Sequence, residues 1–328
     1  MIVDAHAHFL PAELVEGLRA QPRLFPSIRL HEDEHGPRFA FGGGEPTRPV
    51  MKKLGDVPER RKWLSAQGID RQVVGGWLDI FGYELAAEEG ADWCRFMNKS
   101  MLDGCRSAGE LAPLACVPLQ HGKLAAAVLE EALDAGFHGV IIGTQPKGAG
   151  GELDSTDLNP FWEVASARKA TVFVHPMLAC CDPRLGAYDL VNSVGRILDT
   201  TTAVARLMFS GHLQRYADVN LLVSHGGAAL PFILGRIERS GKAHAGKYAD
   251  PVEAFRRLYF DTVIFDERAF RFLCEMAGAD KVLLGSDHPF HLGDGEPRRL
   301  ECRAGARRPS TVGFRQILTA AVEHDSRA

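Results

Sequence analysis

Short apolar runs rich in β-branched residues recur along the chain: IVDAHAHF (2–9), QVVGGW (72–77), LACVPL (114–119), GVIIGT (139–144), TVFVHP (171–176), NLLVSHG (220–226), LYFDTVI (258–264) and KVLLGSD (281–287). Each has the length of a strand, and none alternates strictly enough to leave one face to solvent. Between them lie segments such as KLAAAVLEEALDAG (123–136), NPFWEVASARKA (159–170) and DERAFRFLCEMAG (266–278). There the apolar residues recur at three and four positions, and the segments stop at glycine or charge, as amphipathic helices do. Buried strands alternating with helices predict a parallel sheet covered by helices. Eight such strands in a chain of this length predict an α/β fold of the (β/α)8 TIM barrel type. An open doubly wound sheet is the competitor, but no GxGxxG follows the first strand.

Two stretches break the rhythm. Residues 22–58 mix proline, glycine and charge without a stable period. Inserted after the first strand, they fall on the face where barrel active sites form, and are expected to make a small flap over the site. The whole chain, 1–328, then reads as one barrel domain carrying that insertion. Residues 291–310 are also irregular, with five arginines between 298 and 308. A solvated surface is the expectation there, ahead of an oligomer contact or an anion-binding patch.

Composition narrows the class without naming a chemistry. The chain has 328 residues, 45% hydrophobic and 24% charged, with a formal net charge of −4. Mild acidity gives no reason to expect nucleic acid or an anionic membrane as partner. No apolar run reaches the ~20 residues of a membrane span. No basic segment precedes an apolar one at the start, so a cytoplasmic protein is expected. The seven cysteines lack CxxC pairing, and the vicinal Cys180 and Cys181 are expected to be plain thiols.

Candidate chemistry lies at the ends of the strands. His6 and His8 are two apart and share one face of the first strand. The fifth run ends at His175, the sixth at His225 and the eighth at Asp287. In a barrel those ends meet at one mouth, so four imidazoles and a carboxylate would converge there. Nitrogen donors with one carboxylate and no thiolate suit Zn²⁺ or another transition metal such as Mn²⁺, and do not suit Ca²⁺ or Mg²⁺. His6, His8, His175 and Asp287 are the expected ligands, with a position open for water. His225, beside Gly226 and Gly227, is the expected proton donor and acceptor, with a ligand role as the alternative. His288 is expected to point away and Asp4 to sit deeper as support. The fourth run ends Ile141-Ile142-Gly143-Thr144, without a lysine or glutamate to bridge a second ion, and Lys147 falls in the loop beyond. One metal is therefore expected.

The motifs VDAHAHFLP, GVIIGT, VFVHP, SHGGAALPFILGRI and VLLGSDHPFHLG, in this order, resemble those of the amidohydrolase superfamily. The resemblance is to its decarboxylase branch, the aminocarboxymuconate-semialdehyde and aromatic-acid decarboxylases, and runs from residue 1 to about 297. It implies the same ligand set, with His225 as acid/base. It also implies that Arg236 reaches a neighbouring subunit's site, making a homodimer the functional unit. The carboxylate-binding arginine of the flap finds its counterpart in Arg48, with Arg38 as rival. Met177 stands where the semialdehyde decarboxylases carry an aromatic, and the closing RQILTAAVEHDSRA departs from the relatives' endings. The implied activity is non-oxidative decarboxylation of a small unsaturated or aromatic carboxylic acid with metal-activated water. The same residues could serve a hydrolase of amides or lactones, or a hydratase of an unsaturated diacid. A metal-stabilised barrel without catalysis is the remaining class. Phe290 and Trp162 are candidates to line the substrate pocket.

Overall fold

The structure is a computed structural model that describes residues 1–146, 151–177 and 182–303. Lys147, Cys180, Cys181, Arg307, Arg308 and the closing segment 315–328 lie outside the described residues. The strands are β1 (Val3–His8), β2 (Ile28–Asp33), β3 (Gly36–Phe41), β4 (Arg71–Gly75), β5 (Leu111–Pro113), β6 (Gly139–Gly143), β7 (Thr171–His175), β8 (Asn220–Val223), β9 (Tyr259–Asp261) and β10 (Val282–Leu283). The helices are α1 (Ala12–Ala20), α2 (Val57–Gln67), α3 (Ala87–Arg106), α4 (Gly122–Asp134), α5 (Asn159–Ala167), α6 (Arg196–Phe209), α7 (His212–Arg215), α8 (Leu230–Ala243), α9 (Pro251–Phe255), α10 (Glu267–Ala277) and α11 (Arg298–Arg303).

Parallel pairing runs β5-β4-β1 on one arc and β6-β7-β8-β9-β10 on the other. Two parallel bridges, Ala115↔Val140 and Ala7↔His288, join the arcs at both seams. The amide of Ala115 donates to Gly139 O at 2.9 Å, and that of His8 donates to His288 O at 2.8 Å. The eight parallel strands thus form the expected (β/α)8 ring. Strands such as Gly139–Gly143 and Thr171–His175 are buried along their whole length, which is why they read as unbroken apolar runs. The third barrel strand starts at Leu111, ahead of the expected 114–119. Val117 and Leu119, past its end, are fully buried as well, so hydrophobicity there does not separate strand from loop.

The helices follow from spacing and caps. On α3 the buried Trp93, Met97 and Met101 recur every four residues. Asp56 accepts from Glu59 N at 2.9 Å to start α2, and Gly68, at φ 62°, ends it in the left-handed conformation glycine tolerates. Arg298, at the start of the basic stretch, donates to the carbonyls of Gln67 and Gly68, both at 3.4 Å.

Within the insertion, β2 and β3 form an antiparallel hairpin, paired from Ile28↔Phe41 to Asp33↔Gly36. Its inward Phe39 and Phe41 lie 6.1 and 6.0 Å from the Trp93 ring, and Phe25 lies 5.3 Å from it. That anchorage delivers the following segment, with Arg48 and Met51, to the mouth of the barrel.

Candidate metal centre and substrate cavity

Strand geometry brings the predicted residues together. His6 and His8 project from one face of β1, His175 closes β7, and His225 and Asp287 follow β8 and the eighth barrel strand. His6 Nε2 lies 3.3 Å from both His8 Nε2 and Asp287 Oδ1, and His8 Nε2 is 3.1 Å from that oxygen. The His175 ring centroid is 5.2, 4.8 and 5.2 Å from those of His6, His8 and His225. Ligand atoms of His6, His175, His225 and Asp287 all fit within 4.8 Å of one another.

The remote ring nitrogens set the tautomers. His6 Nδ1 donates to Asp261 Oδ2 at 2.6 Å, His8 Nδ1 to Gly76 O at 3.2 Å, and His175 Nδ1 to Pro176 O at 3.0 Å. The Nε2 atoms of His6 and His8 therefore turn lone pairs toward Asp287, and a ligand atom of His175 lies within 4.8 Å of the same residue. The buried His175 Nε2 and Asp287 Oδ1 have no hydrogen-bond partner among the described residues. Acceptors facing acceptors need a cation between them. Burial opposes a charge on His6, yet the Asp287 and Asp261 carboxylates outweigh it and raise its pKa to about 10. Burial and the surrounding imidazoles hold His175 well below the ordinary histidine range, and burial lowers His8. The centre thus takes one positive charge, a proton on His6 or a metal ion, and its donor set fits a divalent transition metal.

Asp261, at the end of β9, is a site residue that the sequence reading passed over. Besides His6 it receives the amides of His225 at 2.9 Å, Gly226 at 2.8 Å and Val263 at 3.1 Å. Burial would push its carboxyl up, but His6 and these donors hold it below the usual range. The signal was present, since Asp261 interrupts LYFDTVI where His175 and His225 end their own runs. His225 and Asp287 both hold positive φ, 55° and 57°, a conformation that L-residues adopt at a cost of about 1–2 kcal/mol. Their amides donate to the Asp261 carboxylate and to His6 O, which fixes them there. Gly285 leaves space beneath: a Cβ on it would lie 2.9 Å from Asp261 Cβ and 3.1 Å from His6 Cβ.

Below the centre lies a buried polar chain. Asp4 accepts from Gln72 Nε2 at 2.7 Å, Ser286 Oγ at 2.5 Å and the His6 amide at 3.1 Å. Arg60, 1% exposed, donates to Gln72 Oε1 and to His8 O, both at 2.6 Å. Burial raises Asp4 to about 6 and lowers Arg60 to about 10. Asp4 thus supports β1 from below. His288 turns away, as expected, and packs against Trp63 with the ring centroids 4.3 Å apart.

A cavity of about 520 Å³ opens above the centre. Its wall includes Arg48, Arg196, His225, Asp287, Ile264 and Phe290. Phe290 packs 4.9 Å from the His8 ring. Trp162 does not line it. This residue belongs to α5 and is 2% exposed, with Nε1 donating to Leu153 O at 2.9 Å and its ring stacked on Tyr216. Its helical periodicity marked it as apolar without saying toward which layer it faced. Arg48 donates to Asp79 Oδ2 at 3.0 and 3.1 Å, with its guanidinium 5.7 Å from the Trp77 ring centroid. Arg38 instead pairs with Asp33 at 3.0 Å on the hairpin. Arg236 lies on the exposed side of α8, outside its own chain's cavity and one turn from Phe232, which is 84% exposed. Arg196 was not among the expected residues.

The amidohydrolase family model matches residues 3–318. A 2-amino-3-carboxymuconate-6-semialdehyde decarboxylase from Dictyostelium discoideum is 28% identical over 91% of this chain and 84% of its own. The 5-carboxyvanillate decarboxylase from Sphingomonas paucimobilis superposes with a TM-score of 0.76 at 20% identity, covering 100% of this chain and 98% of that one. A dihydroxybenzoic acid decarboxylase from Polaromonas sp. JS666, with bound manganese and 2-nitroresorcinol, gives 0.74 at 19% identity over 100% and 98%. The chain belongs to the amidohydrolase family.

Proposed function

We propose that the protein is a metal-dependent, non-oxidative decarboxylase of a small aromatic or unsaturated carboxylic acid. The observation that carries this reading is the division of labour in the centre. His6, His8 and His175 are buried with Nε2 directed inward, whereas His225 and Asp287 border the cavity. In this reading His6, His8, His175 and Asp287 hold one divalent ion, zinc or, as in the Polaromonas relative, manganese. When bound, the ion supplies Lewis acidity, polarising a substrate oxygen or acidifying a water.

His225 then serves as proton carrier. Its Nε2 lies 3.8 Å from Asp287 Oδ2, at the cavity edge. Protonation of the substrate carbon that bears the carboxylate opens a sink in the unsaturated system. The C–CO2 bond breaks, its electron pair restores that unsaturation, and CO2 leaves; the net change is RCOO⁻ plus H⁺ to RH plus CO2. Phe290, Val263 and Ile264 give the carboxylate apolar surroundings. Such surroundings favour its departure as a neutral molecule. Arg48 steers the acid into the cavity. Arg236 and Phe232, exposed on one face of α8, support a homodimer in which Arg236 serves the partner's site. The buried free thiols Cys94, Cys105 and Cys116 agree with a cytoplasmic enzyme.

The test is a substrate panel with metal-loaded protein: hydroxybenzoates, aminocarboxymuconate semialdehydes, lactones and unsaturated diacids. CO2 release with one class of acid is expected. Lactone hydrolysis, or water addition without CO2, overturns the reading. Mixing Arg236→Ala with His225→Ala subunits is expected to restore part of the activity, and no recovery refutes the shared site.

A further inference from the structure

Arg196 enters the cavity from the first turn of α6, beside Asn192, Ser193 and Ile197. Its Nε donates to Asn192 Oδ1 at 2.9 Å, and Asn192 Nδ2 donates to Asp189 Oδ1 at 2.6 Å. This relay orients the guanidinium without neutralising it. Among the described residues no carboxylate lies within ion-pair distance of Arg196, whereas Arg48 is paired with Asp79 at 3.0 Å. The acidic groups around Arg196 are engaged elsewhere: Asp79 with Arg48, Asp189 with Asn192, and Asp287 with the imidazoles. Burial, which discourages the charge, lowers its pKa.

A partly buried guanidinium with no ion-pair partner among the described residues is unfavourable in the empty protein and attractive to an incoming anion. Asn192 Oδ1 accepts from Arg196 Nε, and Ile197, Val263, Ile264 and Phe265 on the same cavity wall carry no acceptor side chain. We infer that Arg196 is a specificity-determining residue that binds a second carboxylate of the substrate, the one that stays when CO2 leaves. That this carboxylate stays rests on the decarboxylase reading; its binding does not. A guanidinium holding the departing carboxylate would stabilise the ground state against loss of neutral CO2. One holding a fixed group turns binding energy into orientation over the centre. The substrate class is therefore a small aromatic or unsaturated dicarboxylate, and a cavity of about 520 Å³ has room for one ring with two such groups.

The test compares calorimetric binding of benzoate, isophthalate and terephthalate to metal-loaded wild type, Arg196→Met and Arg196→Lys. Thermal melts establish that each variant is folded. Wild type is expected to prefer one of the dicarboxylates by roughly 10- to 100-fold, the worth of a charge-assisted hydrogen-bonded pair. Arg196→Met should lose that preference while binding benzoate as before, and Arg196→Lys should keep part of it. A wild type indifferent to the second carboxylate, or an Arg196→Met variant weakened equally toward all three ligands, overturns the inference. If the preference and its loss are seen but no acid releases CO2, the second-carboxylate site stands and the decarboxylase reading falls.

Discussion

Asp261 meets His6 through a 2.6 Å hydrogen bond from Nδ1, and the same carboxylate oxygen accepts the His225 amide at 2.9 Å. One side chain thus fixes the tautomer of a histidine in the candidate centre and the backbone of the histidine at the cavity edge. Asp261→Asn should weaken metal binding about 10- to 100-fold, the usual effect of losing an outer carboxylate partner. Competition with a chromogenic chelator measures it, and unchanged affinity would show that Asp261 does not orient His6.

In the proposed reading His225 separates from the other imidazoles by role. His225→Asn should keep its stoichiometric metal while kcat falls roughly 10²- to 10⁴-fold. Metal content by plasma emission and turnover are measured on the same sample. A variant that loses the ion would make His225 a ligand, the alternative left open by the sequence.

Arg60 is tied to Gln72 and to the His8 carbonyl, and Gln72 to Asp4. Arg60→Met leaves those acceptors buried and unpaired, so unfolding in urea should show a loss of roughly 3–5 kcal/mol. A loss below 1 kcal/mol would mean that water replaces the guanidinium.

His212, on α7, gives stability a pH dependence remote from the centre. Burial first, and then Arg215, lowers its pKa from the ordinary 6.5. Its Nδ1 pairs with Ser210 Oγ at 2.8 Å, and its buried Nε2 has no partner among the described residues to receive a proton's hydrogen bond. Below about pH 6.5 the unfolded chain takes up a proton that the folded state resists, so stability falls with pH through that window. Melting temperatures between pH 7 and 5 should decline less steeply in His212→Phe than in wild type. Parallel slopes would remove His212 from the account.

The barrel was legible because parallel strands buried on both faces become continuous apolar runs. The centre was legible because His175, His225 and Asp287 break such runs at one end. Asp261 obeyed the same rule and was overlooked because it sits inside an aromatic stretch rather than at its edge. The β2–β3 hairpin left an alternation, Ile28 with Leu30 and Phe39 with Phe41, but charges between them and a turn without Asn-Gly hid it. Arg196 had no local signal. Its turn reads as an ordinary amphipathic helix start, and only the path of the chain after β7 aims it at the cavity. Trp162 failed for the converse reason, since an apolar helix position does not say which layer it faces.

The seam between β1 and the segment after β10 has a consequence for biosynthesis. The Asp287 amide donates to His6 O at 2.8 Å, so its carboxylate arrives on a segment that leaves the ribosome about 280 residues after the histidines it joins. Contacts so distant in sequence form late, because the loop between them must first be closed. His6 and His8 therefore gain these partners only when the last barrel strand joins the ring. In the proposed reading, an ion held there would act as a clasp on the finished ring.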